Sequence, residues 1–157
     1  MVLGLTLQTF TFLHVTISLI AIAAGLIALI AMIGGGEFKA ITALFLICTA
    51  LTSLTGFLFP FEGITPGVVI GILSLIVLAV ALVARRRGWR GTYVITAILA
   101  LYLNVFVLIV QSFEKVRSLH ALAPTQTETP FKVAQLLTLV LFVALTTLAF
   151  KRYRTAI

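Results

Sequence analysis

Five long apolar runs, separated by short links, constrain this chain of 157 residues more than any other feature. A helix needs about 20 apolar residues to cross a hydrocarbon core of about 30 Å. The runs have roughly this length and are expected at residues 5–33, 40–59, 66–84, 92–113 and 130–150. The sequence therefore predicts an all-α fold, a single polytopic bundle of five transmembrane helices.

The composition excludes several classes of water-soluble protein. Hydrophobic residues make up 62% of the chain and charged residues 10%, whereas a soluble domain has about 45–50% and about 25%. The chain therefore has too little polar surface for a cytosolic enzyme. Its one cysteine, Cys48, excludes an internal disulfide framework. The net charge of +7 does not indicate nucleic-acid binding, because basic residues in a membrane protein report its orientation.

The basic residues are distributed unevenly between the two sides that the five spans define. Links on the cytoplasmic side carry an excess of Lys and Arg, so the richer side is expected in the cytoplasm. This places the N-terminus outside and the C-terminus in the cytoplasm. Eight basic residues fall on the inner side, Lys39, Arg85, Arg86, Arg87, Arg90, Lys151, Arg152 and Arg154, and three fall on the outer side, Lys115, Arg117 and Lys132.

Small and hydroxyl residues recur at helical spacing along the apolar runs. Such residues let membrane helices approach closely, because lipid is as apolar as leucine and gives helices no other reason to associate. The pattern Gly67-x-x-x-Gly71 could also mediate a homodimer. The residues expected at helix contacts are Ser18, Gly25, Ser53, Gly56, Gly67 and Gly71.

The remaining polar residues gather towards the outer ends of the spans. An amide or imidazole in hydrocarbon must be paired, so these groups are expected to face the bundle interior. The sequence predicts a polar pocket in the outer leaflet, which is either a site for a quinone or another amphiphile, or a set of interhelical bonds in which His14 pairs with Gln111 or Gln135. The candidate lining residues are His14, Gln111, Asn104, Gln135 and Glu62.

Ligand supply limits the cofactors that the chain can hold. A bis-histidine haem needs two imidazoles, and only His14 and His120 are present. A zinc site would use these histidines with Glu62 and Glu114, but these residues do not form a sequence motif with the spacing that zinc ligands usually have. We therefore expect no metal and no cofactor, with a quinone or haem b as the alternative.

Two stretches carry a resemblance to known proteins: TGFLFPF at residues 55–61, and LYLNVFV at 101–107 followed by LAPTQ at 122–126. Together they resemble small bacterial inner-membrane proteins of no assigned activity, which implies a multi-pass protein of that membrane. A fainter likeness, at Leu13-His14 and Thr55-Gly56, is to membrane cytochromes of the b561 type. Those proteins bind haem through paired histidines on facing helices, and this chain lacks that pairing.

These observations favour a small membrane accessory or interaction protein without catalytic chemistry of its own. Its expected partners are membrane lipids and a second copy or a larger membrane complex, with no nucleic acid. One alternative is a redox protein that binds a quinone or haem in the outer pocket. A second is a small transporter, which the lack of charges within the spans and the odd number of spans disfavour.

Overall fold

The computed structural model describes residue 2, residues 4–60, residue 63 and residues 65–155, with the backbone alone for residues 154 and 155. The described residues form no strand and six helices. Five of the helices are long and apolar enough to cross a membrane, which confirms the predicted all-helical, multi-pass architecture. The helices are α1 (Leu7–Ile33), α2 (Lys39–Gly56), α3 (Pro66–Arg86), α4 (Arg90–Lys115), α5 (Arg117–Leu122) and α6 (Thr129–Thr155).

Local signals in the sequence determine where several helices begin and end. The Thr6 hydroxyl accepts a hydrogen bond from the backbone N–H of Thr9 and caps α1, and Thr65 caps α3 in the same way through Val68. Pro66 follows the second cap, at a position where a helix needs no N–H donor. Gly35 and Gly88 have positive φ angles of 80° and 71° in the turns after α1 and α3, a conformation that glycine adopts without strain.

Helix α4 lies at the centre of the bundle. It packs against α1, α2, α3, α5 and α6, while α1 also contacts α2 and α6, and α2 contacts α3. Short links join the long helices, so successive helices run in opposite directions. We call the end at which α1 begins and α2 ends the His14 end, and the end at which α1 ends and α2 begins the Glu37 end.

The close approach of α1 to α2 and α4 depends on one glycine. A Cβ on Gly25 of α1 would lie 2.5 Å from Leu101 Cδ1 of α4 and 2.9 Å from Phe45 Cδ2 of α2. Both neighbours are almost fully buried. A cavity of about 10 Å³ remains among these apolar side chains. The three helices therefore pack closely because residue 25 has no side chain.

Helix α6 is covered far less than the other long helices. Only 11% of its most apolar stretch is buried, against 28–39% in the other four. Its exposed side chains are large and apolar: Leu136, Leu137, Leu139, Val140, Leu141 and Val143. Most of the α6 surface is therefore not covered by the other helices of the bundle.

Helix α5 lies in the link between the fourth and fifth spans that the sequence predicts, where no helix was expected. It spans Arg117–Leu122, packs against α4 and has no buried residue. After it, Gln126 adopts a positive φ of 58° and donates a hydrogen bond from Nε2 to the Val110 carbonyl at 3.1 Å. The connection to α6 is therefore attached to the end of α4.

Candidate functional site

His14 of α1 forms a hydrogen bond with Thr55 of α2. The Nδ1 atom lies 2.8 Å from Thr55 Oγ1. The Thr55 hydroxyl donates its one proton to the Leu51 carbonyl at 2.6 Å, so it accepts from His14. The hydrogen-bond network therefore assigns the proton of neutral His14 to Nδ1 and leaves Nε2 as an acceptor.

Aromatic rings and a glycine surround the His14 imidazole. The Phe59 ring meets it edge-on with centroids 5.2 Å apart, and Phe10 contacts Phe59 in a similar geometry at 5.0 Å. A Cβ on Gly56 would lie 3.8 Å from His14 Cε1. The side chain is half-buried. His14, which lies near the start of α1, therefore packs against the end of α2 in a mainly apolar environment.

Two amides connect α4 to other helices. Asn104 Nδ2 donates to Thr49 Oγ1 of α2 at 2.9 Å, and both residues are buried. Gln135 Nε2 of α6 donates to the Phe106 carbonyl of α4 at 3.3 Å. The Gln135 Oε1 atom is buried and has no hydrogen-bond partner among the described residues. Each amide thus joins one pair of helices.

The predicted lining residues occupy different helix contacts. His14 bonds across α1 and α2, Asn104 across α4 and α2, and Gln135 across α6 and α4. Among the described residues these three bond to other groups and not to one another. Gln111 lies half-buried near the end of α4. Glu62 lies outside the residues that the structure describes.

His120, the second histidine, lies on α5. Its Nδ1 atom is 3.3 Å from the Phe113 carbonyl. Since a carbonyl only accepts, Nδ1 carries the proton here too. The described residues contain no group of three His, Cys, Asp or Glu side chains that would hold a metal ion.

The residues expected at helix contacts have different surroundings. Gly25 lies at the central crossing, Gly56 lies beside His14, and a Cβ on Gly71 would lie 2.9 Å from Phe57 Cζ. The Ser18 hydroxyl donates to the His14 carbonyl at 2.7 Å, and Ser53 is buried. Gly67 is exposed. Phe57 of the same chain therefore covers the Gly71 part of the Gly67-x-x-x-Gly71 pattern.

A charged cluster at the Glu37 end was not anticipated from the sequence. Glu37 follows α1, and its Oε1 atom lies 2.8 Å from Arg85 Nη2 of α3. The Tyr153 hydroxyl of α6 donates to Glu37 Oε2 at 3.3 Å. The Arg85 guanidinium also lies over the Tyr93 ring of α4, 5.7 Å from its centroid. We call these four residues the Glu37 cluster; it joins the link after α1 to α3, α4 and α6.

One sequence signal could have revealed this cluster. The chain has four acidic residues, and Glu37 alone lies on the side that carries eight basic residues. A single carboxylate among so many cations is expected to find a partner. The side chains of Arg85 and Glu37 are 30% and 18% exposed, so water screens the pair only in part.

Another acidic residue, Glu128, organises the link before α6. The Glu128 carboxylate accepts hydrogen bonds from the backbone N–H and hydroxyl of Thr125, and from the backbone N–H of Thr127. Desolvation acts to raise the pKa of this carboxyl, but the hydrogen bonds from Thr125 and Thr127 outweigh it and lower the pKa below its usual value. The carboxylate form therefore stabilises this turn.

No protein-family model, curated protein or solved structure matches this chain.

Proposed function

We propose that this chain is an accessory protein of a bacterial inner membrane that acts by binding another membrane protein, without catalytic chemistry of its own. The single observation that carries the proposal is the bare surface of α6. With 11% of its apolar stretch buried, α6 has most of its circumference available for contact. The face that includes Leu137 and Val140 is the proposed contact surface, and a second copy or a larger complex is its proposed occupant.

The use of the intramembrane polar groups supports this role. Each of these groups forms a hydrogen bond to a neighbouring helix: His14, Asn104 and Gln135. Such bonds define which helices pack together and are worth about 0.6–2 kcal/mol each. Side chains used in this way stabilise the bundle that presents α6.

The proposed orientation has the N-terminus outside and the Glu37 end in the cytoplasm. The excess of Lys and Arg at that end supports this assignment by the positive-inside rule. Trp89, at 52% exposure, and the Tyr93 and Tyr153 rings lie at the same end, as expected for a membrane–water boundary. Labelling of a cysteine introduced at Arg87 in intact cells tests the orientation: an impermeant reagent is expected not to reach it, and efficient labelling contradicts the assignment.

Photo-crosslinking tests the proposed contact surface. A photoreactive residue at Leu137 of α6 is expected to yield a discrete protein adduct in native membranes. The matched control is Ile76 of α3, which is 57% exposed on a different helix and is expected to crosslink to lipid alone. Lipid adducts from both positions contradict the proposal.

A second candidate, a redox protein that binds a quinol or haem, is favoured by one observation at His14. Because Nδ1 donates to Thr55, Nε2 offers a lone pair that accepts from a quinol hydroxyl or ligates iron. Ligating histidines commonly donate their other ring N–H to a fixed acceptor. A visible spectrum and an organic extract of the purified protein test this function: a Soret band or a stoichiometric quinone, lost in His14→Leu, supports it, and a colourless protein that yields phospholipid alone contradicts it.

A further inference from the structure

A groove opens on the surface of the Glu37 end, between the first turns of α4 and the last turns of α6. Its volume is about 340 Å³. Because a water molecule takes up about 30 Å³ of liquid, the groove holds far more than a single ion. It is lined by Trp89, Arg90, Gly91, Thr92, Ile95 and Phe150.

A glycine gives the groove its apolar wall. A Cβ on Gly91 would lie 2.8 Å from Phe150 Cε2, so the Phe150 ring lies directly against the backbone of α4. Ile95, at 45% exposure, continues this wall one turn further along α4. Arg90 and Thr92 provide the polar side of the lining. Apolar and cationic groups thus lie side by side, as an amphiphile requires.

The charge around the groove is strongly positive. Arg86, Arg87, Lys151 and Arg152 are exposed at this end. The one described acidic residue here, Glu37, forms an ion pair with Arg85. Basic pockets between membrane helices, at the level of the headgroups, attract anionic lipids. The Arg87 guanidinium lies over the exposed Trp89 ring at 5.5 Å, as expected for a side chain at the membrane–water boundary.

We propose that this groove binds one anionic phospholipid. Its phosphate lies beside Arg90 and Thr92, and the beginning of an acyl chain lies against Ile95 and Phe150. Charge complementarity selects an anionic headgroup over a zwitterionic one, and the apolar wall selects a lipid over inorganic phosphate. This binding does not depend on the α6 face that includes Leu137 and Val140, and it goes beyond the accessory role proposed above.

Lipid titration of the full chain in dodecyl maltoside, followed by native mass spectrometry, tests the headgroup preference. One dioleoyl phosphatidylglycerol is expected to bind in preference to dioleoyl phosphatidylcholine. Arg90→Gln is expected to weaken phosphatidylglycerol binding about fivefold. The matched control Arg86→Gln removes the same charge outside the lining and is expected to change binding less than twofold. Equal binding of the two lipids, or equal losses in the two variants, overturns the proposal.

A second pair of variants tests the groove without changing any charge, because Arg90 also lies over the Tyr153 ring at 6.0 Å and its loss can affect the fold. Ile95→Trp fills the groove and is expected to reduce phosphatidylglycerol binding at least fivefold. Leu99→Trp adds the same ring one turn further along α4, at a 38% exposed position outside the lining, and is expected to leave binding unchanged. Unchanged binding in Ile95→Trp overturns the proposal, as does displacement of the lipid by excess inorganic phosphate.

Discussion

At the His14 end, hydrogen bonds join the helices two at a time, whereas at the Glu37 end a single carboxylate binds side chains from two helices at once. His14 bonds Thr55, and Asn104 bonds Thr49, without a shared atom. Glu37 instead binds both Arg85 and Tyr153. Loss of one bond at the His14 end leaves the other contacts in place. Loss of the Glu37 carboxylate instead leaves Arg85 without its anionic partner and removes a contact to α3 and a contact to α6 at the same time.

The largest expected effect is that of Glu37→Gln. The neutral amide leaves Arg85 unpaired in a partly buried position. Exposed pairs are worth up to about 1 kcal/mol and loss of one partner of a buried pair costs about 3–5 kcal/mol, so this intermediate pair is expected to cost about 2 kcal/mol. Thermal unfolding in detergent measures the change. Glu114→Gln, at an exposed site of the His14 end, is the control, and equal effects of the two variants would show that the Glu37 cluster contributes no special stability.

Asn104→Leu is expected to have the largest effect among the pairwise hydrogen bonds that the Glu37 cluster is compared with. The substitution removes a buried hydrogen bond and leaves the Thr49 hydroxyl without this donor. Interhelical bonds of this kind are worth about 0.6–1.7 kcal/mol, so we expect a loss of about 1 kcal/mol in the free energy of unfolding. Thr49→Val removes the acceptor of the same hydrogen bond. The double variant is expected to be no less stable than the worse single variant, and fully additive losses argue against the bond.

Thr55→Val is expected to have a smaller effect, about 0.6 kcal/mol. It removes the acceptor of His14 Nδ1–H while keeping the shape of the side chain. Thr16→Val is the matched control, because the Thr16 hydroxyl donates only to the Phe12 carbonyl of its own helix. A nitrogen-15 NMR spectrum of the imidazole provides an independent check: Nδ1 is expected to carry the proton in the native chain, and a protonated Nε2 in neutral His14 contradicts the assignment.

The smallest effect concerns the turn before α6, which is part of the His14 end. The pKa of the Glu128 carboxyl lies below the usual value for glutamate. Glu128 therefore stabilises the turn fully at pH values above the pKa of an unperturbed glutamate, and this contribution is lost as the pH falls through the lowered pKa. The amide resonance of Thr125 is expected to move with a midpoint below the usual glutamate value. A midpoint at or above that value shows that the carboxylate does not hold the turn. Glu128→Gln is expected to abolish the transition.

The sequence was sufficient to predict the helical fold but not the contacts within it. Apolar runs of about 20 residues can be recognised in the sequence alone, and they predict the five long helices. Helix α5 has six residues, which is too short for a helical periodicity to stand out. The partner expected for His14 was Gln111 or Gln135, and the structure has Thr55 instead. Hydropathy does not specify how each helix is rotated, so it does not show that Thr55 faces His14.

The Glu37 cluster shows the same limit more clearly. Its members come from three helices and one link, far apart in the chain. Each one, taken alone, resembles a common feature of membrane proteins: an arginine next to the cytoplasm, a tyrosine at the boundary, a polar residue in a turn. Only the packing of α3 and α6 around α4 brings them together. The charge imbalance could have indicated that Glu37 needs a cationic partner, but it does not indicate which arginine provides it.

A double-mutant cycle on Glu37→Gln and Arg85→Gln tests the contrast between the two ends most directly. The free energy of unfolding of the native chain, the two single variants and the double variant gives the coupling between the two side chains. The account predicts a coupling of at least about 1 kcal/mol, larger than that of the corresponding cycle on His14→Leu and Thr55→Val. Losses that add within about 0.3 kcal/mol at the Glu37 end would contradict it.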